Sequence, residues 1–267
     1  MTNVSPTDQN LAAEGVIAEA ARRGNIASYI SEVAAQQPDT PALILPHPSR
    51  RGADGRRLAR SWTFAELDAE IDRLAWGFRE IGLSDGTRTL LAVKPSFELI
   101  ALTFALFKAG AVPVLIDPGM GKNNLLNCIR AVEPGGFVAI PAAHAIRKLI
   151  GGSAFRSVRW TVTVGPRLFW GGHTLHQVRK IGAQVGAGRP FSTAVTRSED
   201  LGAILFTTGA TGPPKGVMYE HGMFIAQVEM LRARFRLGPG DRDQPGFPLF
   251  GLFSTALGAS AVIPLIN

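Results

Sequence analysis

Between residues 87 and 164, short apolar runs alternate with longer segments in which apolar residues recur at helical spacing. Runs of the first kind predict buried strands, and segments of the second kind predict amphipathic helices. The predicted strands are 89–93, 111–116, 137–140 and 160–164, and the predicted helices are 95–108, 123–132 and 142–150. Repeated strand–helix units predict an α/β fold, with a mostly parallel sheet covered by helices.

The residues before this region predict one helix, a strand pair and a second helix. The first helix is expected at 25–37, and the two strands are expected at 41–45 and 60–63. The polar segment between the strands contains a cluster of arginines, and we interpret it as an exposed turn: Arg50, Arg51, Arg56, Arg57 and Arg60. Thr63 and Glu66 have the spacing of a capping box, so a helix should begin there and end at Gly82.

Composition divides the chain into four parts. Residues 1–24 mix Ser, Asn, Ala and Glu and predict a flexible tail. Residues 25–182 predict a first α/β subdomain, and residues 183–200, with glycines, a proline and several hydroxyls, predict a surface connection. Residues 201–267 then predict the start of a second α/β subdomain that contains a glycine-rich loop.

That loop follows the apolar run 201–206, which predicts a buried strand. Its candidate phosphate-binding residues are Thr207, Thr208, Gly209, Ala210, Thr211, Gly212 and Lys215. Glycines let backbone N–H groups approach an anion, hydroxyls add donors, and a lysine adds a positive charge. A Walker A loop is excluded, because Gly216 stands where that motif has Ser or Thr. The combination suits a triphosphate, and the alternative is a flexible surface loop.

Residues 207–216 resemble the phosphate loop of the AMP-forming adenylating enzymes, which reads S/T-S/T-G-S/T-T-G-x-P-K-G. The chain departs from it at Ala210, where a hydroxyl is usual. This family includes acyl-CoA synthetases, luciferases and the adenylation domains of peptide synthetases, and segments 62–67, 107–118 and 246–252 are similar to its further motifs. The resemblance implies stacked α/β subdomains and ATP and Mg²⁺ as cofactors, with Thr207 as a candidate ligand of the metal.

The same resemblance implies an acyl pocket lined by Phe247, Phe250 and Gly251, with core packing as the alternative for the phenylalanines. Gly251 stands where many acyl-CoA synthetases have histidine. Segment 117–128 is similar to the olefin-pathway β-lactone synthetases, which adenylate a long-chain 3-hydroxy fatty acid and close it to a β-lactone. The alternatives are a fatty acyl-CoA or fatty acyl-AMP ligase, and a non-catalytic nucleotide-binding protein.

Later motifs of the family, such as the adenine-binding Y-G-x-T-E segment, do not occur in the sequence. We therefore expect an N-terminal fragment, truncated in its second subdomain and inactive alone. ATP and a fatty acid are the expected partners, and an assembly with other olefin-pathway enzymes is a further hypothesis.

The net charge of +7 and the sequence pI of about 10.2 raise the question of an anionic partner. A basic balance can indicate nucleic acid or an anionic membrane. The arginines do not form one stripe, however, so we expect no nucleic-acid partner. The uncharged stretch 244–267 is interrupted by Pro245, Pro248 and Pro264, so we expect no transmembrane span.

The cysteine and histidine residues indicate neither a disulfide nor a zinc site. Cys128 is the single cysteine, which fits a reducing compartment and, with no secretory signal, predicts a cytoplasmic protein. It is expected to be a small core residue. His173 and His176 are predicted to lie on the surface of one helix. His221 is either a surface or helix-capping residue, or part of a pocket wall.

Overall fold

Two β-sheets and their covering helices are formed by the residues that this computed structural model describes, which are 24–52, 54–55, 57–207 and 214–264. The strands in these ranges are β1 (Pro41–Arg51), β2 (Arg57–Thr63), β3 (Arg88–Ala92), β4 (Val112–Ile116), β5 (Gly136–Ala139), β6 (Trp160–Thr163), β7 (His173–Thr174), β8 (Leu201–Thr207), β9 (Lys215–Glu220), β10 (Arg242–Asp243) and β11 (Ser260–Val262). The α-helices are α1 (Ala27–Gln36), α2 (Phe64–Glu80), α3 (Phe97–Lys108), α4 (Lys122–Val132), α5 (Pro141–Leu149), α6 (Leu175–Gly186), α7 (His221–Phe235) and α8 (Gly251–Ala256).

The larger sheet has the order β7-β6-β5-β3-β4-β8-β9 among the described strands. All neighbours from β7 to β8 are parallel, whereas β9 runs antiparallel to β8. Apolar clusters cover both faces of this sheet, which is why its inner strands are continuous apolar runs in the sequence. The predicted α/β class with a mostly parallel sheet is confirmed.

The smaller sheet has the order β10-β11-β1-β2 in the described part of the chain. Strands β1 and β2 form the predicted antiparallel pair, but they extend into the segment interpreted above as a turn. Four of its arginines therefore lie in the strands and not in a turn, and all four are exposed: Arg50, Arg51, Arg57 and Arg60. The third member was not predicted: β11 pairs in parallel with β1, placing Leu43 opposite Ala261. Local patterns do not indicate a pairing between such distant parts of the sequence.

Helix α2 begins as its sequence predicts. The Thr63 side chain accepts a hydrogen bond from the Glu66 N–H at 3.2 Å, and the Glu66 carboxylate accepts one from the Thr63 N–H at 2.8 Å. Two of the unpaired donors at the helix N-terminus are thereby satisfied. The predicted capping box is confirmed.

Helix α3 lies in the centre of the fold, and the side chain of Lys108 at its end is only 2% exposed. The Lys108 ammonium contacts the Ser31 hydroxyl at 2.9 Å, the Asp68 carboxylate at 3.3 Å and the carboxylate of Asp72. A buried ammonium needs such partners because it has left water. Burial raises the pKa of Asp72, and the hydrogen bond from Lys108 opposes that shift. The cluster ties α1, α2 and α3 together.

Helix α6 corrects two predictions. Its capping box is formed by Thr174 and Gln177, so His173 lies in strand β7 and His176 in the helix, and the two do not share one helix. The helix also continues to Gly186, so the predicted connection from residue 183 begins as helix. Strand β8 lies beside β4 in one sheet. The division into subdomains at 183–200 stays a prediction.

Two further expectations can be compared with the described residues. Cys128 is buried, with its thiol 3.7 Å from the sulfur of Met120, and burial raises its pKa. The prediction of a core cysteine is confirmed. No helix in the described ranges combines the length and the apolar character that a bilayer crossing requires.

Candidate functional site

The glycine-rich loop connects the two strands of a β-hairpin at one end of the larger sheet. Strands β8 and β9 are in register from Leu205 opposite Val217 to Thr207 opposite Lys215. Thr207 and Lys215 are both exposed, and they form the last described pair before the loop. The other predicted phosphate-binding residues lie outside the described residues: Thr208, Gly209, Ala210, Thr211 and Gly212.

The position of this hairpin in the sheet is suited to ligand binding. Strand β8 is parallel to β4, with Phe206 opposite Ile116, so the two strands end at the same edge. In parallel α/β sheets, ligands bind outside the carboxyl ends of the strands. Thr207 comes directly after Phe206 on β8, and Asp117 comes directly after Ile116, the last residue of β4. The Asp117 carboxylate accepts a hydrogen bond from the Gly119 N–H at 2.8 Å.

Gly216 lets strand β9 lie directly against an aromatic ring. A Cβ atom built at Gly216 would meet the Phe206 ring at 3.0 Å, which is closer than side chains normally approach. The residue after Lys215 therefore has a packing reason to be glycine. The Ser or Thr of a Walker A loop would place its Cβ against this ring.

The described ends of the hairpin fit an anionic ligand. Thr207 offers a hydroxyl and Lys215 an ammonium, and both face solvent at the mouth of the loop. Such donors can bind phosphate oxygens, and a hydroxyl can also join the oxygen ligands of Mg²⁺. No group of three or more His, Cys, Asp or Glu side chains placed to hold a metal ion occurs within the described residues. The role of each loop residue stays a prediction.

A chain of aromatic rings connects the predicted acyl pocket to the hairpin. The Phe247 and Phe250 rings are 5.4 Å apart, and the Phe250 ring is 6.0 Å from that of Phe253. From Phe253 the contacts continue through Phe224, at 6.2 Å, to Tyr219 of β9, at a further 5.6 Å. The two predicted regions, distant in sequence, are thus joined by packed side chains.

The aromatic residues of the predicted pocket and their neighbours differ in exposure. Phe247 and Phe250 are 50% and 48% exposed, whereas Leu252 and Phe253 are buried in the core. Gly251 is also buried, and a Cβ atom built on it would meet Ile100 and Ala261 at ordinary contact distances. Phe247 and Phe250 are therefore accessible to a ligand, and Leu252 and Phe253 are packing residues. A lining role for Phe247, Phe250 and Gly251 stays a prediction.

His221 is a core residue, so its interpretation as a surface histidine is wrong. It is 3% exposed, its ring lies 5.8 Å from that of Phe107, and its Nδ1 has no hydrogen-bond partner among the described residues. It does not cap α7 with its side chain either. Burial lowers the pKa of His221 to about 4, and the nearby carboxylate of Asp200 acts in the opposite direction. The ring is therefore neutral at pH 7.

Sequence reasoning missed Tyr219 and Phe224, which link the hairpin to the predicted pocket. Both are aromatic residues in the sequence, but the contact of Tyr219 with Phe224 and that of Phe224 with Phe253 depend on the tertiary arrangement. The crowding of aromatic residues in 206–253 was the available signal.

Comparison with known proteins assigns the family. The model of the AMP-binding enzyme family matches residues 30–258. The chain is 44% identical over 241 residues to an olefin beta-lactone synthetase of Xanthomonas campestris, and 43% identical over 242 residues to one of Stenotrophomonas maltophilia. Each match covers 90% of this chain and 42% of the relative, so the chain spans less than half the length of these proteins.

Solved structures share the fold. An acetoacetyl-CoA synthetase from Streptomyces lividans matches with a TM-score of 0.75 and 19% identity over 90% of this chain and 38% of its own. A long-chain fatty acid CoA ligase from Archaeoglobus fulgidus matches with a TM-score of 0.74 and 22% identity over 90% and 46%. The family model covers most of the sequence, and these structures agree with it in fold. The chain therefore belongs to the AMP-binding enzyme family.

Proposed function

We propose that this chain carries the phosphate-binding part of an adenylation site, which activates a carboxylic acid as its acyl-adenylate. The proposal rests on the β8–β9 hairpin, which presents Thr207 and Lys215 at the edge where the carboxyl ends of the parallel strands lie. The loop between them has the residue types that bind phosphate groups. The family match supports ATP as the source of those phosphates.

In this reaction a carboxylate oxygen attacks the α-phosphorus of ATP, and the bond to pyrophosphate breaks. The protein has to align the two reactants and balance the charge that moves onto the leaving group. We assign the second task to Lys215, with hydroxyl and backbone donors of the loop. Mg²⁺, when bound, would offset further phosphate charge, and Thr207 is its candidate ligand.

The acid we propose is a long-chain 3-hydroxy fatty acid. The half-exposed rings of Phe247 and Phe250 offer an apolar surface joined by ring contacts to the hairpin. The two olefin beta-lactone synthetases support a reaction in which the 3-hydroxyl oxygen attacks the acyl carbon of the adenylate. That step closes a β-lactone, releases AMP, and gives up the hydroxyl proton to solvent.

Two other functions are weighed against this one. A fatty acyl-CoA or fatty acyl-AMP ligase is favoured by the fold shared with CoA ligases. A non-catalytic nucleotide-binding protein would keep the hairpin without the chemistry.

An assembly with other olefin-pathway enzymes follows only if the lactone reaction holds. The lone buried Cys128 supports a reducing compartment for all of these.

Because the match spans 42% of each relative, we propose that the reaction needs residues beyond the matched part. The test compares the 267-residue chain with a fusion to the remaining part of the Xanthomonas relative. ATP–pyrophosphate exchange should be absent for the chain alone and present for the fusion with a 3-hydroxy fatty acid. Exchange by the chain alone would contradict the need for further residues.

Product analysis of the same fusion separates the candidate functions. Release of AMP with a β-lactone, and no requirement for CoA, is the expected result. Formation of a thioester only when CoA is supplied would establish the ligase instead. Binding of ATP without exchange, despite a folded fusion, would leave the non-catalytic function.

A further inference from the structure

Helix α5 buries polar side chains and exposes apolar ones. Ile146 and Leu149 point away from the body and are 43% and 73% exposed. His144, on the opposite side, is completely buried, and the Nε atom of Arg147 is buried without a hydrogen-bond partner among the described residues. Helices on a sheet normally bury their apolar side. The outer side of α5 is therefore an apolar surface that the described fold leaves uncovered.

The buried polar side of α5 is held by specific contacts. The His144 ring stacks on Trp170 at 5.6 Å and meets Phe137 edge-on at 4.8 Å, while its Nε2 is 3.1 Å from the Val162 carbonyl oxygen. The Arg147 guanidinium lies 6.0 Å from the Phe137 ring. Burial lowers the pKa of both His144 and Arg147. These contacts fix the orientation of the helix with Ile146 and Leu149 outward.

The loop after β6 adds further exposed apolar side chains beside this helix. Leu168 and Phe169 are 66% and 67% exposed. The Phe169 ring lies 5.2 Å from that of Trp170, which stacks on His144 of α5. Ile150, just after the helix, is 46% exposed. Large apolar side chains grouped on a surface in this way mark an interaction site.

The stretch of sequence that forms this surface carries charge of one sign. From Pro134 to Ser198 the sequence has no Asp or Glu, yet it contains nine of the 28 Lys and Arg residues of the chain. Arg179 and Arg197 in this run pair with carboxylates from outside it or at its border. Six others are exposed and form no ion pair with any described residue, and four of these lie between residues 148 and 167: Lys148, Arg156, Arg159 and Arg167.

We propose that this surface binds an anionic lipid membrane. We call it the basic-apolar patch, and it consists of Ile146, Lys148, Leu149, Ile150, Arg156, Arg159, Arg167, Leu168 and Phe169. Exposed Leu, Ile and Phe side chains enter the boundary between headgroups and acyl chains, and neighbouring cations attract the anionic headgroups. The two kinds of side chain occur together here without any acidic residue in the same stretch of sequence.

The composition of the patch argues against the two other classes of partner. Nucleic acid would use the cations, but aliphatic Ile146, Leu149 and Leu168 gain nothing from a phosphate backbone. A second copy of the chain would bring like charges together at the same patch, which opposes association. The proposal does not depend on which acid the protein activates.

The test measures co-sedimentation of the full 267-residue chain with vesicles. Vesicles of phosphatidylcholine and phosphatidylglycerol in equal parts should bind the chain, and vesicles of phosphatidylcholine alone should bind it far less. Binding should weaken as salt is raised, since the headgroup attraction is screened. Equal binding to both kinds of vesicle, or to neither, would overturn the proposal.

Two paired variants locate the contact. Leu168→Ser with Phe169→Ser should weaken binding roughly tenfold or more, because interfacial affinity scales with apolar area. The matched control is Met230→Ser with Phe235→Ser on α7, which are 63% and 64% exposed and should bind like the parent.

For the charges, Lys148→Gln with Arg156→Gln should weaken binding by about fivefold per cation removed. Arg50→Gln with Arg60→Gln lowers the net charge equally in the β1–β2 hairpin and should have much less effect. Equal losses in the two pairs would mean that net charge alone acts, and would overturn the patch. Binding to DNA that tolerates Leu168→Ser with Phe169→Ser, without vesicle binding, would assign a nucleic-acid surface instead.

Discussion

The buried histidine at the start of α7 gives a stability prediction with a defined sign. His221 has its pKa lowered to about 4 by burial, against an ordinary value of 6.5. The unfolded chain therefore takes up a proton below pH 6.5, while the folded chain resists it until about pH 4. The folded protein should lose stability as the pH falls from 6.5 to about 4. The stabilisation that comes from keeping His221 neutral in the core is fully present only above this window.

The size of the effect follows from the width of that window. One proton taken up by the unfolded state alone changes the free energy of unfolding by about 1.4 kcal/mol per pH unit. Between pH 7 and pH 5, His221 should therefore cost about 2 kcal/mol of stability. The carboxylate of Asp200 acts electrostatically on the ring. The hydrogen bond from the Arg197 backbone N–H holds the pKa of Asp200 below its ordinary value, so Asp200 stays ionised in this range.

The perturbation is His221→Phe, which keeps a ring beside Phe107 and removes the titrating group. Urea unfolding followed by tryptophan fluorescence gives the free energy of unfolding at pH 7 and pH 5. The variant should lose about 2 kcal/mol less than the parent between these pH values. His176→Gln, at an exposed position, is the matched control and should behave like the parent. An identical pH dependence in His221→Phe and the parent would refute the reasoning.

Three further changes test the packing. Lys108→Met leaves Asp72 without its cation and should cost about 3 kcal/mol in urea unfolding; adding Asp72→Asn should recover part of this loss. Thr63→Ala removes one half of the α2 capping box and should cost about 1 kcal/mol, whereas Thr63→Ser should cost little. Gly216→Val forces a side chain against the Phe206 ring, so it should lower the melting temperature, and Phe206→Leu should restore part of it.

The sequence predicted best what depends on neighbouring residues. The capping box of Thr63 and Glu66 lies within one helical turn, and the β1–β2 hairpin is closed by a short polar segment, so both could be recognised locally. The loop 207–216 was assigned to phosphate binding from its residue types alone, and that assignment stays a prediction. The parallel sheet followed from the repeated apolar runs, each long enough for one strand.

What could not be predicted depends on tertiary contacts. The pairing of Leu43 with Ala261 joins the two ends of the described chain, and the aromatic contacts from Phe247 to Tyr219 connect the segment before α8 through α8 and α7 to β9. His221 looks polar in sequence, yet Phe107 and its neighbours bury it. The acid-free run around α5 was visible in the sequence, but its meaning required the reversed orientation of that helix.

The most direct measurement of the central claim is pyrophosphate exchange by the fusion protein with Lys215→Ala. If Lys215 balances the charge of the departing pyrophosphate, exchange should fall by roughly tenfold or more. Lys180→Ala, which removes an exposed lysine on α6, should leave exchange within about twofold of the parent. Undiminished exchange in Lys215→Ala would contradict the assignment of this hairpin as the phosphate site.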